Sequence, residues 1–482
     1  MTRKLFFLLF TTLATMNLHA QGFQVKLKAP QVKGGLTYLT YYMGTNLNIA
    51  DSTVISNDGT AIFSGKEKLD PGIYVIVLPG KQQRVEFLVD KQQQIMVTVP
   101  DTADIINKVV ITGSPENGPY LQYQKFVAVK GKAMQAERMG YAQSTTQADS
   151  ALHEKKYNAL SKELNDYRDN LIKTQPKAML SVLLNAMRDP AVPKTIPVTH
   201  EDSLNNYYYY KSHYWDGTTF MDDRIIRTPF FLKKLERYYR DVLPRHPDSI
   251  IVDADYKLLL ARSSPGMFKF LLNWLTDEYM YPKYMGQDAV FVHLFENYHS
   301  KGVSTWLNEK QSEIVSRRAY MLMANLIGEK GADLELLDST GKVTSLYNVP
   351  ADYTVLVFWD PNCGHCKEEM PKLDSIYRAN WKKHNVAMYA VFTPDEKGAG
   401  KADWENYIRN NHLDGWTHVY QTREMELADN KAQKAGFRQL YDVTMTPTLY
   451  LLDKEKRIIG KKLTWQQLND LMEVKWKANT PN

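Results

Sequence analysis

Cysteine is almost absent: two residues in 482. A disulfide-rich secreted scaffold needs more, and so does a structural zinc finger. Glycine (25) and proline (21) are too scarce for a low-complexity or collagen-like chain. Charge of one sign is lacking too. The 60 basic and 54 acidic residues leave a net charge of +6, and no cluster of Lys/Arg marks a nucleic-acid face. Long hydrophobic runs are missing. The apolar stretch from Leu5 to Leu13 is shorter than the ~20 residues a membrane helix needs. With Arg3 and Lys4 before it and Leu18-His19-Ala20 after it, it reads as a secretory signal peptide over residues 1–20. No cysteine lies beside Ala20, so a lipidated N-terminus is not indicated. The mature chain is expected to be soluble, to lack a transmembrane segment, and to be exported to the periplasm or cell envelope.

What is present divides into three parts, about as many domains as the length suggests. Residues 21–118 read as a β-sandwich. Phe23-Gln24-Val25-Lys26-Leu27 alternates as a half-buried strand does, and Asn57-Asp58-Gly59 and Asp70-Pro71-Gly72 supply turns. Residues 119–327 read as an α-helical domain. Helix-like periodicity runs from Phe230 to Val242, Ala254 to Ala261, Met267 to Tyr279 and Gln311 to Ile327, between prolines at 229, 244, 247, 265 and 282. Residues 328–482 alternate strand and helix. Tyr353 to Trp359 and Val386 to Phe392 are continuous apolar strands, and Thr464-x-x-Gln467 is a capping box that opens the last helix. Thr448 to Leu452 and Arg457 to Ile459 flank a turn, so the order is βαβ, then a β-hairpin and a helix, and the expected whole is multidomain: β-sandwich, α-helical domain, C-terminal α/β thioredoxin-like fold.

Both cysteines fall in one motif, Trp359-Asp360-Pro361-Asn362-Cys363-Gly364-His365-Cys366-Lys367. It follows a buried strand and opens a helix. Unpaired backbone N–H groups and the helix dipole at such an end favour thiolate, the attacking species. Cys363, the more exposed, is the candidate nucleophile; Cys366, one turn in, the candidate resolving thiol. A structural zinc site would need two further ligands, and no second C-x-x-C exists. Haem attachment would need His at 367, which is Lys. An inert disulfide would close a loop of two residues and gain little entropy. No metal and no other cofactor is expected: the electron carrier would be the Cys363–Cys366 disulfide itself.

Around the pair, Gly364 and His365 are candidate tuning residues, the imidazole acting on the Cys363 thiolate. Trp359 reads as core with an edge near the site. Glu368 and Glu369 fall in what reads as the first helical turn. Glu368 would complement the dipole; Glu369 is a candidate proton carrier for Cys366. Pro447, just before the strand Thr448–Leu452, cannot extend a sheet through an N–H. The backbone of Thr446 can then pair with an extended substrate.

These residues resemble the thioredoxin superfamily, specifically the TlpA/ResA-like thiol-disulfide oxidoreductases of bacterial envelopes, over about residues 328–480. The resemblance rests on Val355-Leu356-Val357-Phe358-Trp359, Cys363-Gly364-His365-Cys366, Pro371, and Tyr441-Asp442-Val443 ahead of Thr446-Pro447-Thr448. It implies Cys363 as nucleophile, Cys366 as resolving cysteine and Pro447 as the cis-proline facing them. Two departures stand out. The buried acid of thioredoxins is replaced by Val357, and the dipeptide is Gly-His, as in protein disulfide isomerase. A peroxiredoxin would want Thr at position 360, which is Asp. The upstream parts resemble two domains of unknown function found ahead of such thioredoxin domains. Asp51-Ser52-Thr53, Asp70-Pro71-Gly72-Ile73-Tyr74 and Gly113-Ser114-Pro115-Glu116-Asn117 carry the first likeness. Asp222-Asp223-Arg224, Pro247-Asp248-Ser249 and Gly328 carry the second.

One further cluster is conspicuous. Tyr207 to Tyr210, His213, Tyr214 and Trp215 form an aromatic run near Asp216, Asp222 and Asp223. Core plus helix rim is the plain reading, a partner surface the other, and the spacing fits no standard metal site. The function expected is exchange of disulfides with envelope proteins through a mixed disulfide. With no third thiol, electrons must pass to a separate redox partner protein or small thiol. The alternative is an envelope binding or scaffold protein whose thioredoxin domain only docks.

Overall fold

The computed structural model describes residues 22–479 apart from 191, 194, 195 and 395–399. Residues 1–20, expected from the sequence to be a signal peptide, lie outside the described residues. The chain forms two compact units, one of residues up to 243 with 260–268, the other of 244–259 with 269 onward. The helical segment therefore contributes to both.

Among the described residues of the first unit eight strands follow in order: β1 (Phe23–Lys28), β2 (Leu36–Met43), β3 (Asn46–Val54), β4 (Thr60–Gly65), β5 (Gly72–Val77), β6 (Arg84–Val89), β7 (Gln94–Thr98) and β8 (Val110–Thr112). They build two four-stranded sheets, β4-β1-β7-β8 and β3-β2-β5-β6. In β4, Ala61 and Phe63 are buried while Ile62 is exposed, the period-2 pattern of a sheet with one wet face. Val25, Leu27, Phe63 and Val97 from one sheet meet Leu39, Tyr74, Ile76 and Phe87 from the other in one core. This is the expected sandwich.

Two long helices follow, Asn117–Gln143 and Gln147–Thr174. The first is tied to the sandwich by Asn117, which is fully buried. Its Oδ1 accepts from the Leu88 N–H at 2.7 Å and its Nδ2 donates to the Leu88 carbonyl at 2.9 Å. The side-chain amide thus stands in for a neighbouring strand. Asn117→Ala should leave both Leu88 groups buried and unpaired, at about 1–3 kcal/mol each. Urea unfolding should show the loss; a change within about 0.5 kcal/mol would rule the role out.

Tyr207 to Tyr210 of the aromatic run lie on a helix, His200–Ser212, opened by a Thr199/Asp202 capping box, while His213, Tyr214 and Trp215 follow its end. Two more helices begin earlier than periodicity suggests, at Pro247 and Pro265 rather than Ala254 and Met267. Proline suits the first helical position, where its missing N–H would have had no partner. The last helix of this region ends at Met323, short of Ile327.

The C-terminal part of the second unit holds β9 (Glu335–Asp338), β10 (Val343–Ser345), β11 (Tyr353–Trp359), β12 (Val386–Phe392), β13 (Thr417–Tyr420), β14 (Thr448–Leu452) and β15 (Ile458–Lys461), in the sheet order β10-β9-β13-β12-β11-β14-β15. β11 runs parallel to β12 and antiparallel to β14. Its residues alternate between two cores. Val355, Val357 and Trp359 join Cys366, Leu373 and Trp381 on one face. Leu356 and Phe358 join Tyr389, Tyr441 and Tyr450 on the other. A strand buried on both faces must be apolar throughout, which explains the continuous run. The Thr464–Gln467 capping box forms as read, with backbone-to-side-chain bonds of 3.0 and 3.3 Å. Among the described residues no helix is long and apolar enough to cross a membrane.

Candidate active site

The site sits where β11 ends. Asp360 is buried, and its Oδ1 accepts from the Asn362 N–H at 2.8 Å while its carbonyl accepts from the Cys363 N–H at 3.1 Å. This turn reverses the chain and hands Cys363 to the helix Gly364–Ala379 as its N-cap residue. Cys363 is partly exposed and Cys366 fully buried, and both are free thiols. The Cys363 thiol donates to the Thr446 carbonyl at 3.3 Å. The Thr446–Pro447 peptide is cis. Cys363, Cys366, Thr446 and Pro447 are therefore brought together as the resemblance implies, across more than eighty residues of chain.

The two thiols are electrostatically unlike. For Cys363 the largest influence, burial, raises the pKa. It is outweighed by hydrogen bonds from the Thr446 side chain, the Cys366 backbone and thiol, and the His365 backbone, so the net shift is downward from 9.0. These backbone donors are the unpaired N–H groups of the first helical turn. Cys366 is pushed up to about 12, by burial first. A hydrogen bond from the Asp360 backbone opposes that rise, and Cys363 adds to it. At neutral pH an alkylating reagent should label Cys363 and spare Cys366, and the labelling rate of Cys363 should rise with a midpoint below pH 9. Mass spectrometry after iodoacetamide at several pH values checks this; equal labelling of both thiols would refute it.

The remaining sequence candidates separate. His365 is exposed beside Cys363 and contributes through its backbone. Gly364 is exposed, with nothing near the place a Cβ would occupy. Trp359 is fully buried in the cluster that holds Cys366, 5.3 Å from the Tyr407 ring and 6.2 Å from His418. Glu368 and Glu369 correct the sequence reading. The helix begins at Gly364, so its first turn holds no acidic residue, and the dipole is weak where they stand. Glu369 pairs with Lys372 at 3.0 Å on the helix surface.

Residues that sequence reading missed line the buried side. Tyr407 packs against the cysteine cluster, and its hydroxyl pKa is raised, by burial first and by Cys366 second. His418 is buried against Trp359, Trp404 and Trp416, which pushes its pKa down to about 4. A signal for Tyr407 existed: Trp404 and Tyr407 stand three apart on one helix and so share a face. Val357 occupies the same buried cluster and brings no carboxylate to Cys366.

The aromatic run of the first unit is core and rim. Tyr214 is buried and donates to the Lys234 carbonyl at 2.8 Å; Tyr207 donates to the Val242 carbonyl at 2.9 Å; Tyr208 and Tyr209 are exposed. Asp222 is engaged by Arg224 at 2.6 Å, and His213 stacks on Tyr209. Among the described residues no group of three or more His, Cys, Asp or Glu is placed to hold a metal ion.

Comparison with known proteins extends this picture. Residues 327–461 match the AhpC/TSA family. Residues 23–120 and 143–322 match two domains of unknown function, DUF4369 and DUF5106. The thiol-disulfide oxidoreductase ResA of Bacillus thuringiensis (strain Al Hakam) is 24% identical over 155 residues, 32% of this chain and 79% of its own. The thioredoxin-like protein YneN of Bacillus subtilis (strain 168) is 29% identical over 133 residues, 27% of this chain and 68% of its own. A crystal structure of a domain of a possible thiol-disulfide isomerase from Cytophaga hutchinsonii ATCC 33406 is 34% identical, covering 32% of this chain and 95% of that one, with a TM-score of 0.27.

Proposed function

The chain belongs, through its C-terminal domain, to the thioredoxin-like thiol-disulfide oxidoreductases, and on that premise we propose that it is an exported enzyme that exchanges disulfides with proteins of the cell envelope through Cys363 and Cys366. The observation that carries the reading is the asymmetry of the pair. An accessible thiol of lowered pKa caps a helix beside the Thr446 carbonyl, and a buried thiol at about 12 lies one turn behind it.

In the reducing direction the Cys363 thiolate attacks one sulfur of a substrate disulfide. The substrate S–S bond breaks, a Cys363–substrate disulfide forms, and one substrate sulfur leaves as thiolate and takes up a proton. Cys366 then loses its proton and attacks the Cys363 sulfur. The second substrate thiol leaves, and the enzyme holds the Cys363–Cys366 disulfide, two electrons having passed to the substrate. In the oxidising direction the same steps run backwards. The raised pKa of Cys366 keeps it protonated until the mixed disulfide forms, so it does not compete with Cys363 for the substrate. Thr446 offers its backbone to an extended substrate segment, and the side chain of Met445, 71% exposed, offers that segment an apolar contact. The cycle closes on a separate redox partner or small thiol.

The test is turnover of a protein disulfide by the full chain with a small dithiol as electron donor, against a Cys363→Ser/Cys366→Ser variant. Wild type should be active and the variant not; equal rates would overturn the reading. Export is checked separately. The mature protein should be recovered from the envelope fraction with its N-terminus at Gln21, and an intact Met1 in that fraction would remove the signal-peptide assignment.

A further inference from the structure

Asp442 lies four residues ahead of Thr446. Its backbone is left-handed, with φ at +46°, a conformation that Asp tolerates better than most residues. Its carboxylate is fully buried and is held from two sides. Arg318 Nη1 donates to Oδ1 at 2.6 Å, and Lys462 Nζ donates to Oδ2 at 2.5 Å. The Lys462 side chain is 40% exposed, whereas that of Arg318 is only 10% exposed, so Arg318 is the enclosed partner.

Arg318 belongs to the helix Glu309–Met323, outside the residues matched by the AhpC/TSA family. It is itself fixed. Nε donates to the Met280 carbonyl at 3.1 Å, and the guanidinium lies 4.7 Å from the Tyr281 ring centroid. A second contact runs beside the first. The buried Asn325 donates to the Leu440 carbonyl at 3.1 Å and to the Met321 carbonyl at 2.6 Å. The segment Leu440–Asp442 is thus gripped from the helical region by an amide and a guanidinium. That segment leads directly into Met445 and Thr446, and the Thr446 carbonyl receives the Cys363 thiol.

We propose that Arg318 is a positioning residue for the substrate-binding loop: by holding Asp442 it sets where Thr446 stands beside Cys363, so that the helical region tunes the affinity of the site for polypeptide disulfides. The inference rests on the disulfide-exchange reading given above. A buried carboxylate that keeps both hydrogen-bonded cations has one arrangement available to it. Removing the enclosed cation strips Oδ1 of its donor and leaves the buried carboxylate only the half-exposed Lys462, so the loop must shift to rehydrate the freed oxygen. A polypeptide substrate that pairs with the Thr446 backbone depends on that loop. A small disulfide depends only on access to Cys363.

The experiment measures kcat and KM in the full chain with two substrates, a disulfide-bonded peptide and a small aromatic disulfide. Arg318→Met should raise KM for the peptide, lowering its kcat/KM about tenfold, within the range that displaced positioning groups cost. The small disulfide should change by less than about twofold. Asp442→Asn should do the same, and the Arg318→Met/Asp442→Asn pair should be no worse than either alone, as coupled partners require. Arg318→Lys keeps a charge opposite Asp442 but loses the planar fork and the ring contact, so it should lie between wild type and Arg318→Met. It carries the test if the methionine variant fails to fold. Peptide kinetics unchanged in Arg318→Met or Arg318→Lys would overturn the proposal while leaving the enzyme reading intact. Equal losses for peptide and small disulfide would also overturn it, marking Arg318 as structural only. Wild type inactive on both substrates would instead strike the disulfide-exchange reading itself.

Discussion

Turnover of a protein disulfide is expected to fall by ~10³-fold or more in Cys363→Ser, and to fall as far in Cys366→Ser, yet the two variants should fail in different places. A serine hydroxyl at 363 is not ionised at neutral pH, so the first bond to the substrate never forms. Cys366→Ser keeps the accessible thiol, the helix N-terminus behind it and the contact with Thr446. It should therefore complete the first half of the cycle and stop. With the resolving thiol gone, the Cys363–substrate disulfide has no internal attacker, since the chain has no third cysteine. Intact-mass analysis after mixing with a disulfide-bonded protein should show a covalent adduct on Cys366→Ser that dithiothreitol releases, and none on Cys363→Ser. The Cys366 backbone and thiol both help lower the Cys363 pKa, and the serine hydroxyl of the variant can still donate where the thiol did. An adduct on Cys363→Ser, or turnover surviving in either variant, would reverse the assignment of roles.

The parts of this site that could be read in advance are those in which chemistry and local structure share a short stretch of chain. Trp359 to Lys367 contains the strand end, the turn, the helix start and both thiols, so spacing alone suffices. Thr446-Pro447 was legible because it follows the dithiol and its strands in the order that the resemblance implies; a proline at a strand start is ordinary by itself. Tyr407, His418, Arg318 and Asp442 were not legible in their present roles. Each acts through a neighbour distant in sequence, Arg318 and Asp442 standing 124 residues apart. A buried Asp between Tyr441 and Val443 looks like any polar residue near a helix end until the cation that neutralises it is seen. The first-turn placement of Glu368 and Glu369 failed for the opposite reason. Their placement in the first turn depended on where the helix begins, a boundary that sequence places only to within a few residues. The division of the chain has the same origin. Composition changes near residue 327, but the contacts of Arg318, Asn325 and Asp288 bind the end of the helical segment into the unit of the thioredoxin-like sheet.

Asp288 and Lys461 carry the largest stability effect expected in that unit. Both are nearly fully buried, and they form an ion pair. Lys461 Nζ also donates to the Asn325 carbonyl at 2.8 Å and to its Oδ1 at 3.1 Å, whereas Asp288 Oδ1 has no hydrogen-bond partner among the described residues. The lysine is therefore better satisfied than the carboxylate. Lys461→Met should strand a buried carboxylate and cost about 3–5 kcal/mol, the range for breaking one side of a buried pair. Asp288→Leu should cost less, because the Asn325 oxygens still hold the ammonium. The Asp288→Leu/Lys461→Met double variant removes both charges and should recover most of the loss, giving a strongly non-additive cycle in urea unfolding. The pH dependence has a definite sign. Burial, the largest influence, lowers the Lys461 pKa below 10.5 despite the opposing pull of Asp288. Between its folded value and 10.5 the unfolded chain binds the proton and the folded chain does not, so this residue makes stability rise with pH across that window. The rise should be absent from the double variant. Single variants whose losses simply add would show that the two groups do not act as a pair.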